Sequence, residues 1–282
     1  MAEEYKLICI DLDGTLLGDR SALSQYNIDA INKARAEGAI VCIASGRPYC
    51  QIAQYMAMIG LDTPLVACNG AHVFDPKTQT FWFRSDVPVE EGFKLLKFYD
   101  EMGIDWYIAN HYAICSPHEN LATAVIRNTD DEYVRLGVRP PERKSIFTDE
   151  EYIAALEDGA GKISARVGAK EIEIIEEYYK TPRPGTVCKK AASVLMETMS
   201  EKASKWDAIK IIADYYGVDE DHICVFGDNM NDLEMIMSCK HSFAMSSGDE
   251  RIFKYATHLA GPNNQNGVGK AIEEYILGHI VK

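Results

Sequence analysis

Short, nearly unbroken apolar runs alternate with helical stripes at the start of the chain. Leu7, Ile8, Cys9 and Ile10 form the first run and read as a buried strand. A helical segment follows, with Ser24 as N-cap, Ile28, Ile31 and Ala34 on one face, and Gly38 as its stop. "AIVCIA" (39–44) is the second run. After it, Pro48 suits a first helical turn, and Ile52, Tyr55, Met56 and Ile59 make a stripe ending at Gly60. "PLVAC" (64–68) is the third run. Strands apolar on both faces, separated by amphipathic helices, predict βαβ units and a parallel sheet.

The same grammar returns near the C-terminus. Ser204 is placed to cap a helix carrying Ile209, Ile212, Ala213 and Tyr216, stopped at Gly217. "ICVF" (223–226), "SFAM" (242–245) and "THLA" (257–260) read as strands, and a last amphipathic helix is expected from about Val268 to Ile280. Between these two regions the pattern changes. "AHVFDPKTQTFWFRS" is alternating and turn-punctuated, as in a hairpin. Helical patterns such as "VEEGFKLLKFYDEM" are then mixed with short strands such as "DWYIAN" and "GKISARV". The expected organisation is an α/β core with a doubly wound, Rossmann-like parallel sheet, residues 1–85 and 200–282, split by an inserted α/β cap at 86–199.

Composition narrows the function classes. The chain has 282 residues, 47% of them apolar, and a net charge of −14. Such acidity argues against a nucleic-acid partner, so an anionic ligand must be held by a local cluster of cations. No apolar stretch reaches the ~18 residues of a membrane span. The N-terminus, MAEEYKL, lacks the basic and apolar regions of an export signal. Eight scattered cysteines without a C-x-x-C pair fit free thiols in a reducing cytoplasm.

Three polar clusters directly follow three apolar runs: Asp11-x-Asp13-Gly14-Thr15, Ser45-Gly46-Arg47 and Gly227-Asp228-Asn229-Met230-Asn231-Asp232. In a parallel sheet the C-terminal strand ends share one edge, where ligands bind. Clustered carboxylates there need a cation, and oxygen donors suit a hard metal, Mg²⁺ above all. An EF-hand is excluded because its fifth and sixth positions would be Thr15 and Leu16. Taken alone, Ser45 reads as a helix cap, and Lys205 and Arg47 as surface cations; placement relative to the aspartates changes that reading for Ser45 and Lys205, and leaves the role of Arg47 open.

These residues resemble the haloacid dehalogenase-like superfamily, and within it the Cof-like (type IIB) sugar-phosphatase branch. The resemblance covers nearly the whole chain. It rests on D-x-D-G-T-L (Asp11–Leu16), S-G-R (Ser45–Arg47), the Asn69-Gly70 turn, Lys205 opening a helix, G-D-x-x-N-D (Gly227–Asp232) and the large insertion. It implies a phosphoric monoester hydrolase acting through an aspartyl-phosphate. Asp11 would be the nucleophile and Asp13 the general acid–base. Ser45, Gly46, Lys205 and Asn231 would bind the phosphate. Asp11, Asp13, Asp228 and Asp232 would hold Mg²⁺.

The partner so implied is a small phosphorylated metabolite, with sugar phosphates the default. A phosphohexomutase of the phosphomannomutase type keeps both aspartates and is the enzymatic alternative; a non-enzymatic sugar-phosphate sensor is the other. Trp206 departs from the branch, which commonly has Gly there, and either lines the pocket or packs under the cap. Trp106, Tyr107, Tyr112 and His118 are candidates in the insertion for contact with the leaving group.

Overall fold

Leu7–Ile10 (β1) is buried at every position and pairs in parallel on both sides, with Ile40–Ile43 (β2) and with Ile223–Gly227 (β12). In the computed structural model, residues 5–117, 130–192 and 194–280 are described. His241–Met245 (β13) and His258–Ala260 (β14) complete a five-stranded sheet of order β14-β13-β12-β1-β2, every pair parallel. Renumbered by position in this sheet, the order is 2-1-3-4-5, as in doubly wound flavodoxin-like sheets, and the connections change direction between β1 and β12. That is the switch point, the place where doubly wound sheets bind their ligands beyond the strand ends.

The sheet belongs to one of two compact units. The first comprises Met1–Gly46, Tyr55–Phe83 and Ser204–Lys282; the second comprises Arg47–Gln54 and Arg84–Ala203. In the first unit, Leu7 and Cys9 face a core shared with Ile209, Ile212, Met235 and Ile236, while period-2 alternation turns Ile8 and Ile10 to the other face. Helix α1 (Gln25–Glu37) starts at Ser24, whose hydroxyl accepts from Asn27 N at 3.1 Å, and stops at left-handed Gly38. Helix Lys205–Tyr216 is capped likewise by Ser204, which accepts from Asp207 N at 3.0 Å.

Three features differ from the sequence expectation. Leu65–Ala67 (β3) joins His72–Asp75 (β4) and Thr80–Arg84 (β5) in a separate three-stranded sheet, which an isolated Ala44–Val66 bridge links to the parallel one. The last helix does not reach Ile280. Helix Gly267–Ala271 runs into a π-helical turn, Ile272–Ile276. Gly278 then takes a φ of 82° and Ile280 bridges to Tyr5. Ile28 is only half-buried; the buried face of α1 contains Asn27 instead.

Asn27 donates to Leu16 O at 3.1 Å and accepts from Gly269 N at 3.0 Å. Its carboxamide ties α1 to the loop after β1 and to the C-terminal helix. Asn27→Ala should destabilise the fold by about 1–3 kcal/mol, because both buried backbone partners lose their bond; a denaturant midpoint unchanged from the wild type would contradict this role.

The second unit is built on a six-stranded sheet, order β10-β11-β9-β6-β7-β8. Its strands are Trp106–Ala109 (β6), Ala113–Ser116 (β7), Glu142–Ser145 (β8), Lys162–Arg166 (β9), Thr186–Ala192 (β10) and Leu195–Ser200 (β11). Helices Val89–Met102, Asp149–Glu157 and Ala169–Tyr178 contribute to the core on one face, with Leu96, Tyr152, Leu156 and Ile175 against Trp106, Ile108 and Ile163. Trp106 is thus an interior residue: fully buried, its indole N–H donates to Asp100 Oδ1 at 2.8 Å. Tyr107 is buried too, in a smaller cluster with Tyr133. Tyr112 lies under the Arg139 guanidinium, 4.6 Å from its ring centroid. His118 lies outside the described residues. All eight cysteines are free, and among the described residues no helix is long and apolar enough to cross a membrane.

Candidate active site

Asp11 follows β1 and Asp228 follows β12, so the two strands flanking the switch point each end in a carboxylate. Asp232 joins them from the end of the same turn. Each offers an oxygen, and the three oxygens lie within 4.8 Å of one another. The cation among them is Lys205, the first residue of its helix. Its ammonium donates to Asp11 Oδ1 at 2.7 Å and to Asp232 Oδ1 at 2.6 Å. Lysine, Asp11 and Asp232 are all buried.

The electrostatics follow from one ammonium among three carboxylates. Burial alone would disfavour the charged lysine, but Asp11 and Asp232 outweigh it and raise its pKa above the usual value. The carboxylates remain under-neutralised. Burial raises Asp11 well above the carboxylate range; Lys205 opposes the shift, and Asp232 and Asp228 add to it. Burial, then the charge of Asp232, pushes Asp228 up to about 7. A second cation would relieve this excess, and the all-oxygen donor set suits a hard metal ion.

Supporting bonds hold the cluster in place. Thr15 Oγ1 donates to Asp228 Oδ1 at 3.0 Å. Asp232 Oδ2 accepts from the backbone N–H of Asp228 at 2.9 Å and of Asn229 at 3.2 Å. Both Asp232 oxygens are therefore engaged within the protein, and this carboxylate braces the 228–229 turn. Gly14 has a φ of 83°, and a Cβ there would lie 2.2 Å from Asp228 Oδ2. Only glycine permits both that backbone and that approach.

Asp13 is exposed, at a bridge to Leu17, and its charge reaches Asp228. Ser45 is buried at the end of β2, its N–H donating to Val66 O at 2.9 Å. Asn231 is exposed and donates to Asn69 Oδ1 at 3.1 Å; Gly46 lies against the same oxygen. Trp206 is an interior residue of the first unit, packed with Val66, Val73 and Ile209. Arg47 falls in the second unit.

In the sequence Thr15 and Asn69 stand within motifs, but nothing there marks the contacts they make. Glu234, which accepts from Ser204 Oγ at 2.7 Å, carried no signal at all. A residue that braces a cap from elsewhere in the chain has no characteristic spacing.

Residues 8–272 match the model of a family described as haloacid dehalogenase-like hydrolase. The chain is 28% identical over 279 residues to the 5-amino-6-(5-phospho-D-ribitylamino)uracil phosphatase YitU of Bacillus subtilis, covering 95% of this chain and 97% of that protein. It is 24% identical over 282 residues to the pyridoxal phosphate phosphatase YbhA of Escherichia coli, covering 98% and 99%. Among solved structures, a haloacid dehalogenase-like hydrolase from Bacteroides thetaiotaomicron superposes with a TM-score of 0.81 at 19% identity, over 96% of this chain and 99% of that one. The subclass IIB sugar phosphatase BT4131 gives 0.75 at 20% identity, over 96% and 98%.

Proposed function

The chain belongs to the haloacid dehalogenase-like hydrolases, and from that premise we propose that it hydrolyses small phosphomonoesters through an aspartyl-phosphate, with Mg²⁺ as its metal. The observation that supports this reading best is the buried Lys205 between Asp11 and Asp232, with Asp228 alongside. The cluster is built for positioning and charge neutralisation, which is most of what phosphoryl transfer requires.

In the proposed mechanism Asp11 attacks phosphorus, forming the Asp11 O–P bond as the ester P–O bond breaks. Asp13, exposed and close to Asp228, gives its proton to the departing oxygen. It then takes a proton from water, which attacks the aspartyl-phosphate and releases inorganic phosphate with Asp11 restored. Lys205 favours the ionised form of the nucleophile and holds its carboxylate by a hydrogen bond. Ser45, Gly46 and Asn231 supply hydrogen-bond donors to the phosphate oxygens, helped by the N-terminus of helix Lys205–Tyr216. A Mg²⁺ held by Asp11, Asp228 and the Asp13 carbonyl, with Asp232 behind, would neutralise charge on the transferring phosphoryl group.

Substrate choice is assigned to the inserted segment, 86–199. The named activities of YitU and YbhA support small phosphorylated metabolites as the substrate class. The test is a phosphate-release screen across such compounds, with and without chelator. Chelation should abolish turnover and Mg²⁺ restore it. Ca²⁺, with its longer bonds and larger ligand number, should inhibit. Full activity after exhaustive chelation would overturn the metal assignment.

A further inference from the structure

The Asn69-Gly70 turn has no catalytic group of its own, yet it touches every loop assigned to phosphate binding. It follows β3 and contains three successive left-handed residues: Cys68 at φ 50°, Asn69 at 56° and Gly70 at 94°. A non-glycine residue there is strained, and asparagine is among the few side chains that tolerate it. Asn69 is buried. Its N–H donates to Ser45 O at 3.1 Å, and its Oδ1 accepts from Asn231 Nδ2 at 3.1 Å. The same oxygen would stand 2.8 Å from a Cβ on Gly46. At Gly70 a Cβ would lie 2.1 Å from Ser204 O and 2.7 Å from Lys205 N, so the turn is pressed against the start of the lysine helix.

We propose that Asn69 is a positioning residue that sets which way the Asn231 carboxamide faces, and so whether the proposed phosphate site offers a donor or an acceptor there. A primary amide has two N–H donors at one end and a carbonyl acceptor at the other. With one hydrogen given to Asn69 Oδ1, the second is left for a phosphate oxygen. Without that acceptor the amide can turn over and present its own oxygen, which repels an anion. Asn69 thereby does for Asn231 what Thr15 does for Asp228. The assignment rests on the phosphatase reading, since it needs an anion at that site.

Asn69→Gly separates this role from a purely conformational one. Glycine relieves the left-handed strain and keeps the turn, but removes the acceptor. The N69G variant should melt within a few degrees of wild type, while inhibition by inorganic phosphate weakens about tenfold, as loss of a hydrogen bond to a charged group would produce. Asn231→Ala should weaken phosphate inhibition in the wild-type background and be silent in the N69G background.

Asn69→Asp keeps an acceptor oxygen and tolerates the same backbone, so there N231A should again matter; this arm stands even if N69G does not fold. Wild-type phosphate inhibition in N69G, multiplied losses in the N69G/N231A double variant, or a silent N231A in the N69D background would each overturn the proposal. A wild-type chain that releases no phosphate from any phosphomonoester would instead remove the phosphatase reading, and this assignment with it.

Discussion

Asp11→Asn should lower phosphate release by more than about 10⁴-fold, a loss of the size expected when a covalent nucleophile is removed. The amide nitrogen and oxygen are too weakly nucleophilic to form the aspartyl-phosphate, and nothing else in the cluster can replace them. Lys205 holds Asp11 on one side and Asp232 on the other, while Asp228 is tied to Thr15. The fold should survive. Substitution removes one of three carboxylates that share a single ammonium, so it lessens repulsion in the metal-free protein and leaves Lys205 paired with Asp232. Phosphate release and thermal melting on the same preparation provide the check. Retention of more than about a tenth of wild-type activity with a normal melt would exclude Asp11 as nucleophile.

Lys205→Met should be damaging in a different way, affecting stability as well as turnover. The ammonium is almost wholly buried and bonded to two buried carboxylates. Removing one partner of a buried ion pair typically costs about 3–5 kcal/mol, because the remaining charge stays without compensation. Here three carboxylates would be left together, and methionine fills the volume without supplying charge. The metal-free variant should therefore unfold at distinctly lower denaturant than wild type, with turnover at background. Added Mg²⁺ should recover part of the stability and little of the activity. A midpoint equal to wild type in the absence of metal would show that the cluster is neutralised by protonation alone.

Legibility in the sequence tracked how local the cause of each feature was. β1, β2 and β12 were readable because strands buried on both faces leave continuous apolar runs. Ser24 and Ser204 were readable because a cap acts on a backbone N–H three residues away. The aspartates stood out because carboxylates directly after buried strands are costly without a purpose. β8, "ERKS", has no strand pattern in the sequence: it lies at the sheet edge with three of its four residues exposed, and burial patterning has nothing to mark there. Asn27, Asn69 and Glu234 act on partners far along the chain. Trp106 carried the signature of a binding aromatic but packs in the interior, since a large ring with one polar handle serves either use.

The pairing of β1 has a consequence for how the chain is made. Its two neighbours come from opposite ends of the sequence: β2 is synthesised almost at once, whereas β12 emerges roughly two hundred residues later. At ribosomal rates of ~5–20 residues per second, β1 waits about 10–40 s with one apolar edge open. During that interval the nascent chain presents the kind of unpaired strand that invites intermolecular pairing. Lys205 and Asp232 have also not yet emerged to partner Asp11. The strand that ends at Asp11 is translated roughly two hundred residues before the strand that completes its pairing, which makes this core a high-contact-order folder.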